Sequence, residues 1–192
     1  MKEKNVPDWY IESCRRIEYM FPKGHAVAYV MMAMRIAYFK VHKPLAFYAA
    51  FLSRKADDFD MEVMSKGVLA KQKLEELSKE PKLDPKKKNE QAICEIVVEL
   101  EARGIELLPV DIYLSEGKKF KIEDGKIRIP LIGISGLGGA VIENILKERE
   151  EAKFISVEDL KRRTKMSQTV ADKLKSIGAI SSLSETNQIS LF

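Results

Sequence analysis

The chain of 192 residues has little of what builds disulfide frameworks and zinc sites, with two cysteines, two histidines and one tryptophan. No cysteines and histidines stand at the spacing of a zinc site, and no Ser-His-Asp or Cys-His arrangement is apparent. Both cysteines lie in amphipathic helical patterns, with no secretory signal. We therefore expect Cys14 and Cys94 to be reduced, buried thiols of a cytoplasmic protein.

Long apolar runs are also scarce. The strongest candidate, residues 26–41 (AVAYVMMAMRIAYFKV), contains Arg35 and Lys40 and is shorter than the roughly 20 apolar residues that a membrane span needs. We therefore expect no membrane partner. Because this segment is apolar on nearly all sides, we interpret it as a helix that its neighbours bury.

The sequence pattern predicts a mainly α protein with a small β element, an α+β fold. Helical periodicity and breaks predict helices over residues 8–19, 25–42, from 44, from Asp57 or Asp58 to 79, and 85–103. Alternating short strands follow in residues 107–133, with a hairpin turn at Glu123-Asp124-Gly125. Three short helices are predicted over 139–150, 157–163 and 168–177, followed by a flexible C-terminal tail.

Positive charge is concentrated at the start of the chain. Residues 1–56 carry ten Lys and Arg against four Asp and Glu, whereas residues 57–106 carry nine against thirteen. Residues 107–192 carry fourteen against twelve. A basic front segment suits an anionic partner, although the charge alone does not identify one.

A glycine-rich turn precedes the first of the three short helices. The segment Ile134-Ser135-Gly136-Leu137-Gly138-Gly139 leads into an amphipathic helix and resembles the hairpin of the helix-hairpin-helix DNA-binding family. Glycines let a backbone approach a phosphate closely, and the first amides of a helix are free donors at its positive end. Lys147 and Arg149 add nearby charge. An ordinary turn that closes a helix pair is the alternative interpretation.

A second, degenerate copy of this motif is predicted downstream. Ser156 has the pattern of a helix cap, and Thr164-Lys165-Met166-Ser167 forms the turn into the next helix, which Ser167 can cap. Lys161, Arg162, Arg163 and Lys165 would supply cations to a phosphate. A solvated helix face is the alternative explanation for this run of charge.

The entry of the long apolar helix is a candidate nucleotide site. Lys23 and His25 lie where the helix dipole and the free amides favour an anion, and Tyr29 follows His25 by one turn. Tyr29 could stack on a base or sugar. Alternatively, His25 and Tyr29 are hydrogen-bonded core residues.

The chain ends in an apolar hook, Gln188-Ile189-Ser190-Leu191-Phe192. Its form, Gln-x-x-Leu-Phe, looks like the sliding-clamp-binding peptide of bacterial replication proteins, with Leu191 and Phe192 as anchors. The alternative is that these two side chains fold back onto the chain's own core.

Segments from all along the chain also resemble a single family of proteins. FPKGHAVAYVMMAMRIAYFKVHKPLAFYAAFLSRKADDFD looks like the fingers segment of PolC-type alpha subunits of bacterial DNA polymerase III, which are C-family replicative polymerases. IESCRRIEYMFPK, DIYLSEGKKF, ISGLGGAVIENILKEREEAKFISVEDLKRR and NQISLF resemble the same family in the same order.

This resemblance implies a division of the chain into three parts. Residues 1–105 would be the C-terminal part of the fingers, 106–183 a duplex-binding module with tandem helix-hairpin-helix motifs, and 184–192 a clamp-binding tail. The implied partners are primer-template DNA, a deoxynucleoside triphosphate, the beta sliding clamp and the remainder of the polymerase. The residues expected at the nucleotide are Lys23, His25, Tyr29 and Arg35, with Arg15 and Arg16 as further candidates. Those expected at DNA are Gly136, Leu137, Gly138, Gly139, Lys147, Arg149, Arg162, Arg163, Lys165 and Ser167.

The expected activity is that of a nucleotidyltransferase, but no catalytic residue is assigned to this chain. Such polymerases hold Mg²⁺ on palm aspartates, which the family places upstream of this segment. Asp57-Asp58-Phe59-Asp60 imitates a metal-binding pair, but we interpret these acids as helix caps. We therefore expect the isolated chain to bind no metal and to be inactive.

Two other functions fit the same residues. The chain could be a separately encoded, non-enzymatic DNA-binding adaptor that recruits a partner to the clamp. It could also be a helical domain without a nucleic-acid role. Coding sequence for palm aspartates next to that of this chain would favour the polymerase over the adaptor.

Overall fold

The computed structural model describes residues 1–16 and 22–186, which form two compact units, Met1–His42 and Lys43–Phe192. The first unit contains a short 3-10 helix, Lys2–Lys4, and the helices α1, Asp8–Arg16, and α2, Lys23–His42. The predicted end of the first helix near residue 19 lies outside the described residues. The long helix begins two residues earlier than predicted.

The prediction that α2 is buried is wrong for this structure. None of its residues is buried, and its large apolar side chains, including Tyr29, Met34 and Tyr38, are each at least half exposed. The sequence of α2 is apolar all round and has no polar face opposite an apolar one, so its pattern specifies no single packing direction. Of the helices that the structure describes, none has both the length and the apolar content needed to cross a bilayer.

The second unit begins with helices that pack onto a shared core. They are α3, Pro44–Arg54, α4, Met61–Met64, α5, Gly67–Ser78, and α6, Pro85–Ala102, with a 3-10 helix at Ala56–Asp58. The helix predicted from Asp57 or Asp58 to 79 is therefore divided. Asp60 is the N-cap of α4, because the Asp60 carboxylate accepts a hydrogen bond from the amide of Glu62 at 2.9 Å.

A small sheet follows the helices. Its strands are β1, Leu107–Leu108, β2, Lys121–Glu123, and β3, Lys126–Arg128. Strand β3 is central, antiparallel to β2 and parallel to β1. The predicted hairpin is confirmed, since Asp124 and Gly125 both have positive φ, 48° and 79°, as a two-residue hairpin turn requires.

Between residues 139 and 186 the structure has three α-helices, as predicted. They are α7, Gly139–Glu151, α8, Val157–Thr164, and α9, Gln168–Ser176, and the 3-10 helix Leu131–Gly133 precedes them. The mainly helical fold with a small sheet is thereby confirmed. The boundary predicted between residues 105 and 106 lies inside the second unit, because its helices and strands share one buried cluster; this includes Tyr48, Leu52, Ile93, Ile127, Leu160 and Leu174.

The two cysteines differ in their surroundings. Both are free thiols. Cys94 is fully buried, and this burial raises the pKa of its thiol to about 11. Cys14 is only half-buried, in contrast to the predicted burial, because just one residue of α1, Ile11, is buried.

Candidate nucleic-acid interface

The glycine-rich turn before α7 presents its backbone to solvent. Gly136 has a φ of 89°, which L side chains rarely adopt. Leu137 is buried and fixes the turn to the core, and Gly138 is the extended N-cap of α7. No side chain of the described residues caps this helix. The first amides of α7 therefore lack a side-chain acceptor and lie on an open backbone surface.

A second turn, before α9, has the same order of conformations. Lys165 adopts a left-handed conformation with φ 59° and ψ 27°, Met166 is buried, and Ser167 is the N-cap. The Ser167 hydroxyl accepts a hydrogen bond from the Val170 amide at 3.3 Å. Unlike the first turn, this one has a side-chain cap and a cationic residue at its positive-φ position.

The two N-caps match closely in backbone conformation. Gly138 has φ −72° and ψ 153°, and Ser167 has φ −74° and ψ 160°. In each turn, a positive-φ residue stands two positions before the cap and a buried apolar residue stands between them. Each turn thus directs the start of a helix toward solvent in the same local way.

Hydrogen bonds join these two turns to each other. The Lys173 ammonium group on α9 donates to the carbonyl oxygen of Ser135 in the first turn, at 3.0 Å. The Asn144 amide on α7 donates to the carbonyl oxygen of Thr164, which precedes the second turn, at 3.1 Å. Sequence reasoning missed both residues. The partners are 38 and 20 positions apart, and no local pattern relates them.

Arg163, predicted to contact DNA, uses its guanidinium group inside the protein. It donates to a Glu148 carboxylate oxygen at 3.0 Å and to the Ala152 carbonyl oxygen at 3.2 Å. It also lies over the Phe154 ring, 4.6 Å from the centroid. The side chain is 17% exposed, so Arg163 joins α7 to α8 and is poorly placed to meet a phosphate.

Asp159 lies at the centre of this cluster. Burial opposes its charge, but hydrogen bonds from Arg162, from the Ile155 amide and from Arg163 outweigh that effect and lower the pKa of its carboxyl. Its amide donates to the Ser156 hydroxyl at 3.0 Å, as the predicted cap of α8 requires. Arg162 contacts Asp159 at 2.8 Å, but its side chain remains 71% exposed.

Of the other cations predicted at DNA, one forms hydrogen bonds inside the protein and two are exposed. Arg149 donates to the carbonyl oxygens of Ile112 and Ser115, at 3.1 and 2.7 Å, and so anchors the segment between β1 and β2 to α7. Lys147 and Lys165 are exposed, and neither forms a hydrogen bond or ion pair within the described part of the chain. Of the cations predicted at DNA, these two lysines remain free to meet an anion near the turns.

All four residues predicted at the nucleotide lie on α2 and are exposed. The rings of His25 and Tyr29 meet edge to face with centroids 4.4 Å apart, so the predicted neighbours are in contact. Lys23 is in the first turn of the helix, and the Arg35 guanidinium lies further along, 4.0 Å from the Met32 sulfur. Arg15 and Arg16 lie on α1, where both contact Glu12.

The acids around Asp57 form no metal site. Asp57 pairs with Lys118 at 2.9 Å, and Asp58 accepts a hydrogen bond from Asn89 at 2.8 Å. Asp60 is the helix cap described above, and Asp57 and Asp58 lie in the first turn of the 3-10 helix Ala56–Asp58. In residues 1–16 and 22–186, no three His, Cys, Asp or Glu side chains form a group that could hold a metal ion. The predicted clamp-binding residues 188–192 lie outside the described residues.

Known proteins are similar both to the segment that contains the two turns and to the chain as a whole. Residues 104–189 match the model of the helix-hairpin-helix motif. The DNA polymerase III PolC-type of Thermotoga petrophila is 50% identical over 193 residues, and that of Clostridium perfringens is 51% identical over 194 residues. The PolC-type polymerase of Bacillus subtilis is 47% identical over 194 residues.

Each of these matches covers the whole of the present chain but only 13–14% of the relative. The chain thus spans about one-seventh of the length of the curated relatives that it matches. Each alignment is about half identical over the full length of the chain, and the part that the motif model covers contains both turns. The chain is therefore homologous along its whole length to one segment of the PolC-type DNA polymerase III.

Proposed function

We propose that this chain serves a PolC-type DNA-directed DNA polymerase as a nonspecific grip on the DNA duplex. The observation that supports this most strongly is the pair of turns before α7 and α9, which share one backbone pattern and lie in the region similar to the helix-hairpin-helix motif. We interpret the two turns as a tandem module.

The grip would act on the sugar-phosphate backbone and not on the bases. The uncapped amides at the start of α7 would donate to one phosphate, and Lys165 at the second turn would bring a cation to another. Lys147, exposed on α7, adds a further positive charge. Because all these contacts are with phosphate groups, affinity should be similar for different DNA sequences and should fall as salt rises.

The first unit would help to position the incoming nucleotide. Lys23 and His25 stand at the N-terminal end of α2, and the Tyr29 ring contacts that of His25, so charge and an aromatic surface lie together. Phosphoryl transfer to a primer depends on such positioning and on metal ions. We assign no metal ligand to this chain and expect the two Mg²⁺ ions on palm aspartates of the polymerase.

The last five residues would tether the polymerase to the beta sliding clamp. Gln188 would supply a hydrogen bond, and Leu191 and Phe192 would fill apolar pockets of the clamp. Tethering makes rebinding to DNA an intramolecular step, so a weak peptide contact supports long runs of synthesis. We expect this work to take place in the bacterial cytoplasm.

Fluorescence anisotropy with a labelled primer-template duplex tests the proposed function. We expect the 192-residue chain to bind, with the logarithm of the association constant falling by about 0.9 per phosphate contact for each tenfold rise in salt. A second duplex of unrelated sequence should give the same affinity. Absence of salt-dependent binding would overturn the proposal and leave a helical domain with no role at DNA.

A further inference from the structure

A short loop, residues 116–119, lies against the N-terminal half of α7. Between the loop and the helix lies an open cavity of about 300 Å³. On the helix side the cavity begins at Gly139, which ends the glycine-rich turn and is the first residue of α7. The residues that line it are Glu116, Gly117, Lys118, Lys119, Gly139, Ile142, Glu143 and Leu146.

Backbone hydrogen bonds fix this loop relative to the turn. The amides of Leu131 and Ile132, which lead into the turn, donate to the carbonyl oxygens of Glu116 and Gly117 at 2.9 and 3.0 Å. A Cβ on Gly117 would lie only 3.1 Å from a methyl carbon of Leu146, so glycine allows the loop to rest directly on α7. The two residues that follow Gly117 are thus held beside the turn.

Those two residues are exposed lysines. Lys118 lies 2.9 Å from Asp57, but both side chains are more than 60% exposed, and such an ion pair contributes little in water. The Lys119 ammonium group forms no hydrogen bond or ion pair with any residue that the structure describes. An unused cation on a fixed loop next to the turn requires no rearrangement of the protein to meet an anion.

Two carboxylates also face the cavity, and they decide where an anion can lie. Glu116 and Glu143 are both exposed and balance the charge of the two lysines. An anion deep between loop and helix would meet both carboxylates. At the rim of the cavity, the lysine side chains, which are longer and more flexible than those of glutamate, can reach an anion with less repulsion from the two carboxylates.

We propose that Lys118 and Lys119 form a further contact with the DNA backbone, at a phosphate next to the one held by the turn before α7. This inference rests on the proposed function, because it extends the same phosphate-binding surface. The ligand class is a phosphodiester of the DNA backbone, bound through charge and not through base edges.

The test compares the salt dependence of duplex binding by the full 192-residue chain and by a Lys118→Ala, Lys119→Ala variant. Each lost phosphate contact should reduce the slope of log K against log salt by about 0.9, so the double variant, which loses one phosphate, should lose about 0.9. Glu143→Gln should raise the affinity, because it removes a carboxylate beside the bound phosphate. The control variant, Lys71→Ala, Lys79→Ala, changes the net charge equally at two exposed positions on and after α5.

The outcomes separate this inference from the proposed function. A smaller slope for the loop variant, with no change for the control, supports the loop as a contact. If the wild-type chain shows salt-dependent binding and both variants have the same slope, the proposed contact of the loop with DNA is overturned. The proposed function of the chain would remain intact. Absence of salt-dependent binding by the wild-type chain would overturn both.

Discussion

The ammonium group of Lys173 donates a hydrogen bond to the carbonyl oxygen of Ser135 at 3.0 Å, and so the helix of the second turn holds the backbone of the first. Lys173 is only 23% exposed and also pairs with Glu62 at 2.7 Å. We therefore assign it a positioning role in the proposed grip and not a contact with phosphate.

Replacing Lys173 by Ala should weaken duplex binding without changing its salt dependence. The loss of one positioning hydrogen bond is worth about 1 kcal/mol, or about fivefold in affinity. The slope of log K against log salt should stay at its wild-type value, because no phosphate contact is removed. Glu62→Gln is the matched control, since it breaks the ion pair but leaves the bond to Ser135. A reduced slope for Lys173→Ala would show that it meets phosphate directly.

Gly136→Ala should weaken binding to all duplexes alike. At φ 89° any side chain is strained, and a substitution that forces the backbone to relax costs about 1 kcal/mol and displaces the amides at the start of α7. Gly178→Ala introduces comparable strain at φ 77°, beyond the end of α9, and should leave binding unchanged. Anisotropy with two unrelated duplexes measures this. A loss confined to one of them would mean that the turn reads bases.

Local signals in the sequence predicted much of this structure. The hydroxyls of Ser156 and Ser167 cap their helices, and the Asp84 carboxylate accepts from the Lys87 amide at 2.8 Å at the start of α6. The Asp-Gly turn between β2 and β3 was predictable for the same reason. Each feature depends on residues no more than three positions apart, and that spacing can be read along the chain.

Features that depend on distant residues were not predictable in this way. Arg163 lies in a run of cations that also suits a solvated helix face, but Glu148, fifteen positions earlier, meets its guanidinium group. The exposure of α2 likewise does not follow from its composition, which is that of a buried helix. In both cases the sequence specifies the chemistry of a side chain, and the tertiary structure determines its partners.

Arg163→Ala should destabilise the protein, whereas Arg162→Ala should not. Without Arg163, the largely buried Asp159 and Glu148 lose a charged hydrogen-bond partner, which should lower the free energy of unfolding by about 2 kcal/mol. The Arg162 side chain is itself 71% exposed, so its ion pair with Asp159 should contribute at most about 1 kcal/mol. Urea denaturation measures both. Equal, small losses would contradict the bridging role assigned to Arg163.

Asp159 should make stability depend on acid pH. Because its pKa is lowered in the folded state, the folded protein binds fewer protons there than the unfolded chain does. Its contribution is therefore present above the unfolded value of about 3.9 and is lost as pH falls through the folded pKa. The free energy of unfolding should differ most between wild type and Asp159→Asn near pH 7, and this difference should shrink below about pH 4.

The comparison with Asp159→Asn also separates Asp159 from other acids. Hydrogen bonds from Arg128 lower the pKa of Glu123 as well, and that effect is present in both proteins and cancels in the difference. A difference that stays constant between pH 7 and pH 3 would show that Asp159 does not titrate as assigned.

Deletion of residues 188–192 should abolish binding to the beta clamp and leave duplex affinity intact. Leu191 and Phe192 would be the apolar anchors, and truncation of such anchors costs at least about 2 kcal/mol each, so their combined loss leaves no measurable contact. A chain with the same five residues in scrambled order keeps length and composition and should also fail to bind immobilised clamp. Because the phosphate contacts proposed above lie upstream of residue 188, anisotropy with the duplex should not change. Clamp binding equal to that of the full chain, by either variant, would place the clamp contact elsewhere.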